Sequence, residues 1–422
     1  MRELESKYHH ELVVIGVHSG KYHAERVTPR IRDASIRLDA VHPVLNDRQF
    51  RTWRSYAVSA WPTLVVIDPA GYVVGTHAGE FAADMLFPFM DGVIANARSR
   101  GTLNENPLEL TPDEPVIAPG RLRYPGKVIV KGERIAIADS GNHRILVGML
   151  DTASVAKIEM EVGTGAPGFE DGRNGTFNYP QGMALDGDML YVADAGNHSI
   201  RAVNLSNGEI RTVAGTGSQI RTRADRERGA MSSPWDVAIK GKMLFVAMAG
   251  THQIWSVDLD TGSTHVHAGT GAEDIRDGEN ASALLAQPMG ITIYDNRLYF
   301  ADSESNGVRW SETTELGTTG TVVGTGLFDF GDVDGKGDEA RLQHPQGITP
   351  HPEGGLLVAD SYNDCIKKVD PLTRTSEAWV RGLNEPSGVS CSQTHAYAAD
   401  TNAHRIAVID LKSREVTELR LE

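Results

Sequence analysis

The stretch YPQGMALDGDMLYVADAGNHSIRAVNL, residues 179–205, decides the fold. A proline opens it and a short apolar run follows. A second apolar stretch ends in Ala193-Asp194, and a polar turn leads into a third run. Short β-branched runs bounded by Gly, Asn, Asp and Pro read as strands. The pattern returns six times, opening at Pro125, Pro180, Pro234, Pro288, Pro345 and Pro386, at intervals of 55, 54, 54, 57 and 41 residues. Four copies add an outer run that closes on a Gly-Thr-Gly turn, at Gly163, Gly215, Gly269 and Gly324. Each copy thus supplies four short antiparallel strands. Six such units over residues 121–422 describe a β-propeller. About fifty residues per unit exceeds the ~40–45 of a WD40 blade, and no WD pattern accompanies the strands.

The turn after the second strand reads Asn142-His143, Asn197-His198, Thr251-His252 and Ala403-His404. With the recurrent Pro-x-Gly, Ala-Asp and Gly-Thr-Gly elements, it resembles the NHL repeat family. That resemblance implies a mainly β fold built on a six-bladed NHL-type β-propeller. Copy three departs from it, with Met248 where Asp recurs and Trp235-Asp236 after the proline; copy four has Ser305-Asn306 in the turn.

One propeller face is expected to carry these turns and the Gly-rich connections between blades, which makes its loops the expected binding surface. The residues concerned are Asp139, Asn142, Asp194, Asn197, Asp302, Asp360, Asn363 and Asp400. Their expected role is mainly structural, because an Asp at a strand end accepts backbone N–H bonds and closes a turn. A column repeated by symmetry also lacks the asymmetry that catalysis needs. The His column (His143, His198, His252, His404) has no partner at ligand spacing, so no metal is expected there. The segment Asp332-Val-Asp334-Gly-Lys-Gly-Asp338-Glu339 looks like part of a calcium loop, but Gln343 stands where the loop needs its bidentate Glu. Arg221, Arg223, Arg226 and Arg228 form a basic island that reads as a solvated loop, with an acidic partner as the functional alternative.

Residues 1–98 follow another pattern. A helix end over 1–10 precedes a buried strand in Glu11–Ser19 and a helix over Glu25–Leu38. Another helical segment spans 50–58. Two strands joined by Asp68-Pro-Ala-Gly71 and a closing helix over Phe81–Ala97 complete it. This order, with Trp61-Pro62-Thr63 ahead of an apolar strand, resembles the C-terminal three-quarters of a thioredoxin-like domain. The resemblance implies a cis Pro62 and a groove at Trp61, Pro62 and Thr63 that holds an extended peptide. The family's first strand and Cys-x-x-Cys helix have no counterpart from Met1 onward, so the unit reads as a small, incomplete α/β domain. Its open edge is expected to be covered by the propeller or another chain, or completed upstream of residue 1. Residues 99–120, with Pro107, Pro112, Pro115 and Pro119, read as a semi-extended linker.

A thioredoxin-like domain followed by six NHL blades resembles the NHL repeat-containing protein 2-like family, which implies a cytoplasmic platform. Composition agrees with such a platform. The 422 residues carry a net charge of −15 and are 40% hydrophobic, which disfavours nucleic acid and anionic membrane as partners. The longest apolar runs, Leu12–Ile15 and Leu64–Ile67, are far below the ~20 residues that cross a bilayer. Cys365 and Cys391 read as buried structural thiols, leaving no thiolate for exchange chemistry. The expectation is a binding or scaffold protein that holds a protein or peptide partner on the propeller face, with no catalytic residue, cofactor or metal. Two alternatives stand beside it. One is a thiol-disulfide oxidoreductase whose Cys-x-x-Cys lies upstream; the other is a propeller lyase or hydrolase with a channel metal. The oligomeric state is not legible.

Overall fold

In the computed structural model the chain forms two compact units, Met1–Ile117 and Ala118–Glu422. The structure describes residues 1–79, 81, 83–106 and 122–422; most of the expected linker, with its four prolines, lies outside them.

The second unit is the propeller. Blade 2 shows the plan, with antiparallel strands Pro180–Asp186, Met189–Asp194, Ser199–Asn204 and Glu209–Ala214 in spatial order. Successive side chains of its second strand serve two different interfaces. Leu190 and Val192 pack with Ala136, Ala138 and Ile145 of blade 1. Tyr191 and Ala193 pack with Leu244, Val246 and Trp255 of blade 3. Both faces of a blade are therefore buried between neighbours, so the strands are continuous apolar runs rather than alternating ones. The first strands of the six blades pack on one another around a closed ring. Blade 6 completes it, with Tyr397, Ala399, Ile406 and Val408 set against Val128, Ile135 and Ile137 of blade 1.

Three blades carry a fifth strand that the sequence reading did not foresee. Arg420–Leu421 pairs in parallel with Val155–Ala156 at the outer edge of blade 1. Gly278–Glu279 pairs with the outer strand of blade 4, and Gly335–Lys336 with that of blade 5.

The first unit contains α1 (Arg2–Lys7), β1 (Gly16–His18), α2 (Thr28–Arg37), β2 (Val44–Asn46), α3 (Arg51–Ser55), β3 (Thr63–Ile67), β4 (Val73–Ala78) and α4 (Ala83–Ser99). Leu4 and Tyr8 pack on Met90 and Ile94 of α4 as its small core. The Trp61–Pro62 peptide bond is cis, as the sequence reading expects. One expectation fails. Of the strand expected to be buried in Glu11–Ser19, only Gly16–His18 forms, and Val13, Ile15 and Val17 are 42%, 61% and 41% exposed. The physical reason is the pairing. Among the described residues β1 bonds in parallel to β2 alone and β3 to β4 alone, giving two separate two-stranded sheets. The apolar run that a central strand would have covered stays open.

Candidate functional site

The Asp column ties each blade to itself. One oxygen of Asp194 accepts the Asn178 backbone N–H at 2.8 Å, and the other accepts the Asn197 side chain at 2.7 Å. Asp139, Asp302, Asp360 and Asp400 accept the equivalent N–H from Arg123, Ala286, Gln343 and Asn384. All five carboxylates are fully buried. The partners of Asn142 and Asn363 are likewise Asp139 and Asp360. Burial pushes the Asp194 carboxyl up to about 6 and that of Asp360 up to about 7.

A basic side chain answers the Asp from one of two positions on the third strand. Arg144 and Arg405 reach Asp139 and Asp400 from its start. Arg201 and Arg309 reach Asp194 and Asp302 from two residues further on, both fully buried. Blade 3 loses both halves together: Met248 replaces the Asp and Trp255 stands at the Arg201 position. The Met248 sulfur takes the Ser232 N–H instead, at 3.4 Å.

The buried arginines also reach the outer edge of their blades. Arg201 bonds Asp171 at 2.7 Å and Arg309 bonds Asp277 at 3.0 Å. In blade 5 Lys367 donates to Asp332 and Asp334 at 2.6 and 2.7 Å, and Arg381 also bonds Asp332. Asp332 and Asp334 of the segment that resembled a calcium loop thus hold an ammonium. Cys365, whose sulfur lies 3.9 Å from Asp360, is fully buried, and burial raises its thiol far above the ordinary range. Burial pushes the Cys391 thiol up to about 12. Neither supplies a thiolate near neutrality.

The His column is a latch between blades. Nδ1 of His143, His198, His252 and His404 accepts the backbone N–H of Tyr179, Ser233, Gln287 and Tyr124, each the residue before the next blade's proline (Tyr124 closes the ring). Asn306 and Asp364 do the same with side-chain oxygens, toward His344 and Glu385. All six sit at positive φ, where Asn, Asp and His are tolerated best. What the column requires is a short side chain with an acceptor.

The latch gives a pH prediction. Burial, then the nearby Arg221 charge, holds the His198 pKa below its ordinary 6.5. The unfolded chain therefore takes up the proton first, so the latch's contribution is present above pH 6.5 and is lost as pH falls through the lower folded value. Asp194, with its raised value, runs the opposite way. Replacing His198 with Asn isolates the histidine, since Asn306 already makes this bond in blade 4. Its melting temperature should fall less than wild type between pH 7 and pH 5, a difference on the order of 1 kcal/mol. Parallel pH profiles would contradict the latch.

The axis is closed. After each blade's opening proline the column of small residues reads Gly182, Gly290, Gly347 and Gly388, with two exceptions, Lys127 and Asp236. These two meet across the ring at 2.6 Å, both buried. Asp236 also accepts the Ile291 N–H of blade 4 at 3.2 Å. The glycines allow the approach, since a Cβ on Gly290 would lie 2.1 Å from the Gln346 carbonyl oxygen.

A cavity of about 1000 Å³ lies in the first unit. Val13–Ile15 and Val17, Thr63–Ile67, and Val93 and Ile94 of α4 all line it. It is the gap between the two small sheets. Trp61, Pro62 and Thr63 stand at its edge. Trp61 is 48% exposed, donates to the Ser19 carbonyl at 2.8 Å and lies 4.6 Å from Trp53 between ring centres. The structure therefore separates the candidate residues. The aspartates and asparagines of the propeller turns are consumed internally, while Trp61–Thr63 border open apolar space.

Fold and columns define a six-bladed NHL propeller that follows an α/β unit. The NHL repeat model matches residues 177–203. Human NHL repeat-containing protein 2 is 37% identical over 97% of this chain, and the Arabidopsis thaliana protein SUPPRESSOR OF QUENCHING 1, chloroplastic, is 34% identical over 99%. The chain spans 63% of the length of the first and 43% of the second. A solved structural genomics protein of unknown function from Bacteroides thetaiotaomicron superposes with a TM-score of 0.50 at 15% identity, over 70% of this chain and 71% of its own. The chain is an NHL repeat propeller protein homologous, over nearly its whole length, to NHL repeat-containing protein 2. Among the described residues no helix is long and apolar enough to cross a membrane.

Proposed function

We propose that the chain is a binding protein whose propeller is a rigid platform and whose peptide site is the apolar gap beside Trp61-Pro62-Thr63. The observation that carries the reading is that gap. Two sheets each present an unpaired strand edge, β1 and β3, to one apolar space, and an edge with free N–H and C=O groups is a template for an added strand. An extended segment there would complete the ladder on both sides and cover Val13, Ile15 and Val17. The propeller turns, by contrast, have no free carboxylate among the five column aspartates to offer a ligand.

Site-specific photocrosslinking in cells tests this. A benzophenone side chain at Trp61 should yield a discrete protein adduct, and one at exposed Ala166, on a loop between blades, should not. An adduct at Ala166 alone would move the site to the propeller face. Adducts at neither position would overturn the binding role.

A further inference from the structure

Blade 3 differs from its neighbours at its outer edge. In blade 2, Asp171 accepts the Thr212 N–H at 3.1 Å and Gly172 exchanges two backbone bonds with Ile210. In blade 4, Asp277 accepts the Thr321 N–H and Gly278 pairs with Thr319. In blade 5, Asp334 accepts the Ala378 N–H and Gly335 pairs with Ser376. An Asp-Gly pair from the preceding connection thus caps the outer strand of each of these blades. The connection before blade 3 has no Asp-Gly pair. It forms α5 (Arg223–Glu227) instead, with a capping box between Thr222 and Asp225.

The register identifies what is left open. Arg201, Arg309 and Lys367 lie opposite Thr212, Thr321 and Ala378. Trp255 lies opposite Val266 in the same way, and Val257 opposite Thr264. By this equivalence the Val266 N–H and both backbone groups of Thr264 point outward. Among the described residues no segment caps them, and Val266 is 42% exposed. Beside this edge the chain, net −15 overall, places four arginines. Arg223 and Arg228 pair with Glu227 and Asp225. Arg221 and Arg226 are exposed and have no carboxylate within ion-pair distance among the described residues, and the Arg226 guanidinium lies 5.5 Å from the Trp255 ring. Trp255 itself is buried, with Arg226 over its ring and Val266 opposite it in the ladder, so Arg226 and Val266 are the exposed groups that flank it.

We propose that the outer edge of blade 3 is a docking site for an acidic, extended segment of a protein partner. The segment adds as a strand along Thr264–Ala268, its apolar side chains pack beside Val266, and its carboxylates pair with Arg221 and Arg226. The charge favours a peptide's carboxylates, and the open backbone groups favour a chain that brings its own N–H and C=O. Nucleic acid offers no such ladder. The proposal rests on the propeller alone and is independent of the gap in the first unit.

A displayed library of random twelve-residue peptides, selected on the full chain, tests it. The recovered sequences should be rich in Asp and Glu alternating with β-branched residues. They should bind at least 10-fold more weakly to the Arg221→Glu/Arg226→Glu variant, and weaken as salt rises. Val266→Pro removes the outward N–H and should weaken binding similarly, provided its melting curve matches wild type. Amide hydrogen exchange on wild type gives the same answer without mutation, with Thr264 and Val266 slowing when a recovered peptide binds. Failure to recover peptides, sequences without acidic bias, equal binding to the arginine variant, or unchanged exchange at these amides would overturn the proposal. So would a single-stranded oligonucleotide that displaces the peptide from the same arginines.

Discussion

Arg201→Met should destabilise the propeller by about 3–5 kcal/mol, because it removes the cation from a carboxylate that stays buried. The Arg201 guanidinium is fully buried between Phe169 and Phe177, 4.8 and 5.7 Å away. It donates to Asp194 at 3.0 Å, Asp171 at 2.7 Å and the carbonyls of Glu170 and Thr176 at 2.8 and 3.0 Å. One side chain therefore joins the end of the second strand to the connection that caps the outer edge. Without it Asp194, already pushed up to about 6, would take a proton near neutrality, which limits the loss without abolishing it. The melting temperature should drop on the order of 10 °C. The protein itself supplies the control, since blade 3 carries Met248 and Trp255 at these two positions. Asp194→Met/Arg201→Trp should be clearly more stable than the sum of its single changes predicts. Additive losses would show that the two groups do not depend on one another.

The second large effect concerns the axis. Lys127→Met leaves the Asp236 carboxylate, whose burial already raises its pKa, without the ammonium that lies 2.6 Å from it. A loss of about 3–5 kcal/mol is expected. Adding Asp236→Asn keeps an oxygen for the Ile291 N–H while removing the charge, so the double variant should recover most of that loss. Thermal melts of the three variants check this. A Lys127→Met protein as stable as wild type would mean that the pair contributes nothing to holding blades 1 and 3 together. An enzyme with a metal on the axis would also have to displace this pair, which is how the geometry bears on the lyase alternative.

Repetition made the propeller readable. Six prolines at near-equal spacing and five aspartates at one position carry more information than any one strand. The Asp–Arg pairs were partly visible, because Met248 and Trp255 depart from the pattern together in a single copy. The axial pair was readable only by superposing the copies. Lys127 and Asp236 each look like an isolated lapse in a glycine column, and their opposite charges acquire meaning once the ring brings them face to face. The latch was hidden by its variety, since His, Asn and Asp look unrelated until their shared feature, an acceptor near the backbone at positive φ, is seen. The first unit misled for a physical reason. An apolar run such as Val13–Ile15 reports that a face requires cover without identifying what covers it. β2, three residues long, is below the length at which periodicity can identify a strand.

The most direct test of the binding account is amide hydrogen exchange on the full chain, with and without the partner captured at Trp61. The account predicts slowed exchange in both Gly16–His18 and Thr63–Ile67, the two open edges, with the propeller turns unchanged. Protection confined to the loops between blades, with both edges exchanging as before, would contradict it.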